Sequence, residues 1–344
     1  MKQILLFTAA VLIISNSCFA KIWRVNNNPG VSANFTSLQS AHDGAASGDT
    51  LYLESSPYSY GGLNATKKIA IIGTGYFLDQ NVNLQASSLQ ARIDAVTLNT
   101  GAAGSSIEGL SFNGSAISVY ANDVVIRRNH FASFNGSTPD WGVGIIYIYN
   151  GASNIFITQN FAVIINNNAA SSGILISNNY ISSYAYNGDN ATGGCLQLNV
   201  NTVAIIKNNI FRRGTVTAYN SNISNNIMLA GFLGGSGNLI ANNIGNATQF
   251  GTADGNKQNV DMTTVFVATG SYDASYKLKV GSPAIGAGYG STVQNPVDAG
   301  MFDGSTSYVL SGLPAIPSIY FFANQPVGSN SDPIDVQIKV KSNN

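Results

Sequence analysis

The chain has 344 residues, of which only 9% are charged, and its 16 basic and 16 acidic side chains cancel to zero net charge. A chain so poor in cations lacks the basic face that phosphate backbones require, which excludes nucleic acid as a partner. What replaces charge is Asn, Gly, Ser, Thr and β-branched residues, a mixture of turn formers and strand formers that points to an all-β fold.

Residues 1–20 read as a secretory signal peptide: Lys2, an apolar run from Ile4 to Ile14, and a small-residue exit at Ser17-Cys18-Phe19-Ala20. The apolar run falls short of the roughly 20 residues that span a bilayer, and no later stretch is longer, so no transmembrane segment is expected. A minor alternative makes Cys18 a lipid-modified N-terminus, but Ser15 stands where such signals prefer Leu. After cleavage at Ala20 only Cys195 remains, so no internal disulfide can form. The expected location is outside the cell or on its surface.

Next come Phe35, Leu38, Ala41 and Ala45 at helical spacing, an amphipathic helix suited to covering the open end of a solenoid. Gly48-Asp49 then turns the chain into a first strand, Thr50-Leu51-Tyr52-Leu53. His42 sits on this helix and reads as a capping residue, not a catalyst.

From residue 110 a short pattern recurs: an apolar-x-apolar strand, two polar residues usually ending in Asn, then an apolar residue. The last Asn of each copy falls at 113, 129, 160, 179, 209, 226 and 243, giving intervals of 16, 31, 19, 30, 17 and 17. That period suits one coil of a parallel β-solenoid and is too short for a βαβ unit. In such a stack each Asn amide can bond its equivalents one coil above and below, at the ~4.8 Å strand spacing. The Asn residues are therefore expected to be a structural ladder and not ligands.

The two long intervals contain insertions at one place in their coils, three residues after the Asn. One runs from Ser133 to Gly142 and carries Asp140 and Trp141; the other runs from Ser182 to Gly193 and carries Tyr184, Tyr186 and Asp189. They belong to coils two apart, and the next coil offers Arg212 and Arg213 at the same register. Aromatic rings, two carboxylates and a cation on one face would suit a sugar chain. Beyond Gly304, four prolines (Pro314, Pro317, Pro326 and Pro333) interrupt the chain before the alternating strand Ile334 to Val340. The segment 305–344 is expected to be a β appendage that covers the last coil, leaving 21–304 as the solenoid domain.

Several stretches resemble the pectate-lyase-like parallel β-helix superfamily. Asn34 to Leu53 (NFTSLQSAHDGAASGDTLYL) is similar to its opening, and Ile107 to Gly114 (IEGLSFNG) to one of its early coils. Tyr276 to Gly288 (YKLKVGSPAIGAG) and Asp298 to Gly304 (DAGMFDG) resemble the closing segment of secreted bacterial β-helix proteins, with Gly286 where an Asp often stands. The resemblance implies a right-handed parallel β-helix, a fold that hosts lyases, hydrolases, adhesins and inert spacers alike.

Lyases of that superfamily hold Ca²⁺ with clustered acids, and its hydrolases carry Asn-Thr-Asp, Asp-Asp, Gly-His-Gly and Arg-x-Lys motifs. None of these four motifs occurs here, and no acidic residue recurs at one register. With six to eight oxygens normally needed for Ca²⁺, no cofactor is expected; Ca²⁺ belongs only to the lyase alternative. His130 follows an Asn where other coils carry Phe161, Tyr180 or Ile210, and reads as a coil-turn residue. Thr215-Val-Thr217 stands alone, so no threonine array for ice exists. No catalytic residues can be named. The sequence therefore leads to an exported β-helix protein with a non-catalytic carbohydrate-binding or structural role, partnered by a polysaccharide or cell-surface glycan. The alternative is a polysaccharide lyase or glycoside hydrolase working on the insertion face.

Overall fold

The computed structural model describes residues 20–132, 144–149, 151–183, 193–325 and 333–343. The signal-peptide segment and the candidate residues Asp140, Trp141, Tyr184, Tyr186 and Asp189 lie outside them. The described chain is all-β apart from one helix and short 3₁₀ turns, and its strands build two long parallel sheets. Each passage of the chain visits both sheets and returns one strand further along, an arrangement compatible with a parallel β-helix; we call each passage a coil.

The first sheet has ten strands in strict order from Ile22–Val25 to Leu239–Ala241. Its inward column is almost pure isoleucine. Ile107, Ile126, Ile157, Ile176, Ile206, Ile223 and Ile240 lie directly in register, and all but Ile240 are fully buried. β-branched side chains are stiff and pack well on a pleated surface, so the second apolar residue of each apolar-x-apolar strand sets this column of the core. The second sheet has fifteen strands in two arms, joined by Phe161–Asn167, which runs through both. The first arm follows the Asn corner (His130–Ala132, Tyr180–Ser182, Ile210–Arg213 and their neighbours). The second arm follows it in turn (Ile117–Val119, Gly144–Ile148, Gly194–Gln197, Thr215–Thr217).

The Asn ladder lies at the corner between the first sheet and the first arm. Asn129, Asn160, Asn179, Asn209, Asn226 and Asn243 are fully buried. The backbone N–H and side-chain amide of each donate to the Oδ1 of the next, at 2.9–3.1 Å. Asn256 adds a last rung, accepting from Asn243, which the repeat pattern missed because no apolar-x-apolar strand precedes it. Asn113 does not belong to the ladder. His130 pairs with Ser111, so the residue opposite Asn129 is Leu110, and Asn113 lies three positions further on, opposite Ala132.

The residue before each rung has its own task. Arg128, Gln159, Asn178, Asn208, Asn225 and Asn242 all adopt left-handed φ of 54–60°, a conformation Asn tolerates best after Gly. This bend throws their side chains outward, where they hold the C-terminal part of the chain as it runs back along the coils. Asn242 donates to Ala287 O and Asn225 accepts from Tyr289 N. Asn178 donates to Met301 O and Asp303 O, Gln159 to Thr306 O and Ser307 O, and Arg128 to Leu313 O. Beneath this strap a second apolar cluster forms on the outside of the first arm, from Phe161, Tyr180, Ile210, Ile227 and Ile244 with Val265, Ala284, Met301 and Tyr308.

The ends differ from expectation in one respect. The helix Leu38–Gly44 is present, capped by Ser37, with Leu38, Ala41 and His42 buried. His42 accepts from Thr66 N–H through Nε2, so it pins the helix to the coil below. A strand the sequence reading passed over, Ile22–Val25, pairs with Thr50–Leu53 ahead of it. Among the described residues, however, the last coil is met by 254–260, bonded to Asn242, Asn243 and Gly245, while the described part of 305–344 bonds earlier parts of the chain. Because the strap carries the chain backwards, the hairpin of Ser318–Asn324 and Val336–Lys341 ends beside early residues, with Ala86 N donating to Ile319 O and Lys341 Nζ to Asn83 O.

Candidate ligand-binding face

Both insertions leave the second sheet where its arms meet. One departs after His130–Ala132 and returns at Gly144–Ile148; the other departs after Tyr180–Ser182 and returns at Gly194–Gln197. The unbroken strand Phe161–Asn167 lies between them and pairs with all four flanks. The stems are thus two strands apart on one sheet, about 10 Å. Arg213 stands opposite Ser182, at the register expected. It is only 3% exposed and its carbonyl accepts from Ser183 N–H, so its side chain is part of the corner. Arg212 is partly exposed.

The second arm supplies a surface that no repeat motif marks. Strand alternation sends Ile146, Ile165, Leu196 and Val216 into the core and their neighbours outward. Ser118, Tyr147, Asn166, Gln197 and Thr217 consequently stand in one registered row on the outside. Two residues further along each coil, Tyr120, Tyr149, Asn168, Asn199 and Tyr219 form a second row. Tyr120 and Tyr149 stack with centroids 4.3 Å apart and planes 5° off parallel, and Tyr147 lies 6.0 Å from Tyr149. Loss of solvent and the neighbouring Tyr149 both push the Tyr120 phenol above its usual range. The five spans 116–121, 144–149, 163–168, 194–199 and 214–219 contain no Asp, Glu, Lys or Arg. The signal was present in the sequence only as this charge gap. It becomes a surface only when the register stacks the coils.

What this face can do chemically follows from its inventory. It offers phenol rings and hydroxyls, amide donors and acceptors, and no acid, base or nucleophile. Glycoside cleavage needs two carboxyl groups about 5–9 Å apart, and the five described spans supply none. Among the described residues no group of three or more His, Cys, Asp and Glu side chains gathers in a metal-binding arrangement. His130 is enclosed by the rings of Phe77, Tyr76 and Phe161 at 4.6–5.8 Å, which fits its reading as a structural residue. A polar cluster of Asp273, Tyr308, Tyr76 and Ser311 is wholly buried and clips the strap to the coils.

Cys195 lies in the second-arm strand Gly194–Gln197 beside the second insertion, is fully buried, and donates to Thr215 O. Burial pushes its thiol up to about 12, so it is protonated and inert at neutral pH. In a Cys18→Ser chain, a thiol reagent should label the native protein only at the rate of unfolding, and the denatured chain at once. Rapid native labelling would show the second arm to be open at this point. Comparison of the chain with protein-family models and with curated proteins returns no match.

Proposed function

We propose that this chain is an exported right-handed parallel β-helix of pectate-lyase-like architecture that binds carbohydrate without cleaving it. The observation that carries the reading is the uncharged face of the second arm, with Tyr120, Tyr147 and Tyr149 clustered next to the stem of the first insertion. Sugar rings present apolar C–H faces and a fringe of hydroxyls, which match aromatic rings interleaved with amides. Trp141, Tyr184 and Tyr186 on the insertions would extend the same surface. The absence of carboxylates from the strands favours binding over catalysis.

The test is a panel of soluble polysaccharides offered to the secreted chain, read for binding by calorimetry and for cleavage by new chain ends. Binding without cleavage is the expected result. Tyr149→Ala should weaken it about tenfold and leave the melting temperature unchanged. Cleavage of any member would replace this reading by the enzymatic one, with Asp140 and Asp189 the first carboxylates to substitute.

A further inference from the structure

Resting on that carbohydrate reading, we infer that the ligand is an uncharged polysaccharide lying along the axis of the stack, one sugar residue to each coil. The first reason is electrostatic. Five consecutive coils contribute no charged side chain to the second arm, while Arg212 and Arg213 belong to the first arm. An acidic polymer laid here would lose water from its carboxylates and find no cation in return, which is costly for each one. A neutral, hydroxyl-rich chain exchanges water for amide and hydroxyl partners at little cost.

The second reason is geometric. Parallel strands repeat every ~4.8 Å, close to the advance per residue of an extended pyranose chain. The row Ser118, Tyr147, Asn166, Gln197, Thr217 therefore offers one polar or aromatic side chain to each successive sugar. The parallel row Tyr120, Tyr149, Asn168, Asn199, Tyr219 does the same two residues along each coil. A chain crossing the coils at right angles would meet only one strand and leave this repeat unused. The backbone under the rows is held in place: Gln197 Nε2 donates to Thr215 O and Asn199 Nδ2 to Asn168 O, each reaching across to a neighbouring coil. The side chains are thus ordered before a ligand arrives, which lowers the entropy lost on binding.

The experiment is calorimetric titration of the secreted chain with neutral β-1,4-linked gluco-, xylo- and manno-oligosaccharides of increasing length, and with oligogalacturonates of matching lengths, at low and molar salt. The expected result is binding to at least one neutral series, affinity rising with each sugar and levelling off near five or six units. Affinity should be indifferent to salt, and no oligogalacturonate should bind. Gln197→Ala and Tyr147→Ala should each weaken the longest neutral oligosaccharide about tenfold and shift the plateau, while Thr252→Ala, exposed and outside the second arm, should not. Salt-sensitive binding of the acidic series would overturn the inference while leaving carbohydrate binding intact. So would a neutral series that binds with no dependence on length or on these side chains. Failure of every glycan, neutral and acidic, would remove the underlying reading itself.

Discussion

Replacing Asn209 by Leu is expected to destabilise the folded chain by about 3 kcal/mol, since each orphaned buried polar group costs roughly 1–3. Asn209 is fully buried and uses every polar atom of its amide. Its Oδ1 accepts from Asn179 N–H and Nδ2, both at 3.0 Å, and its Nδ2 donates to Ile176 O, Lys207 O and Asn226 Oδ1. Leucine has nearly the right volume but leaves the Asn179 backbone N–H without an acceptor and the Ile176 carbonyl without its amide donor. The neighbouring Asn208→Gly provides the contrast. Asn208 faces the strap through two long contacts of 3.4 Å, and its φ of 54° is one that glycine adopts freely. That change should cost under about 1 kcal/mol. Chemical denaturation of both variants measures the difference. Equal midpoints would show that the inner and outer residues of the Asn doublet are not divided as described.

Phe161→Ala should cost about 3–5 kcal/mol, the usual range for truncating a buried phenylalanine. Phe161 follows its ladder residue, so its ring lies outside the coil, yet it is fully buried because the strap covers it. It stacks on Tyr180 at 4.4 Å and meets Phe77 edge-on at 5.4 Å; such aromatic pairs add to the area they bury. The cavity would open between the coils and the strap, not within the isoleucine core. The loss should therefore appear first as protease sensitivity in residues 260–315, with the circular dichroism of the sheets retained. A variant of wild-type stability would show that the strap does not seal this cluster. Collapse of the β signal together with the strap would show instead that the two cores are one.

Much of the fold was readable in advance because its signals are local. The isoleucine and asparagine of each copy stand three residues apart on one strand and its corner, and stacking in register turns that short spacing into columns. The helix over Leu38–Gly44 and the strand Thr50–Leu53 were legible for the same reason: Phe35, Leu38 and Ala41 at helical spacing, then a Gly-Asp turn. Asn113 misled because it sits in a similar string, Leu-Ser-Phe-Asn, but three residues out of phase, and only strand pairing reveals phase. Both insertions could likewise be assigned to one sheet from the intervals alone, though whether Arg213 reaches solvent could not.

What the sequence by itself determined is the repeat: a β-branched core column, a buried Asn at each corner, insertions in two coils, and too little charge for a polyanionic partner. These follow from side-chain type and short-range spacing, which act before distant parts of the chain meet. Only the tertiary structure decided the direction of the C-terminal segment. Whether residues 284–315 cover the last coil or run back over the corner depends on outward Asn, Gln and Arg side chains 45 to 185 residues away, from Asn242 with Ala287 to Arg128 with Leu313. The face of the second arm was decided in the same way. Tyr147, Asn166, Gln197 and Thr217 are unremarkable in sequence, and they become one row because parallel pairing sets strands from separate coils side by side.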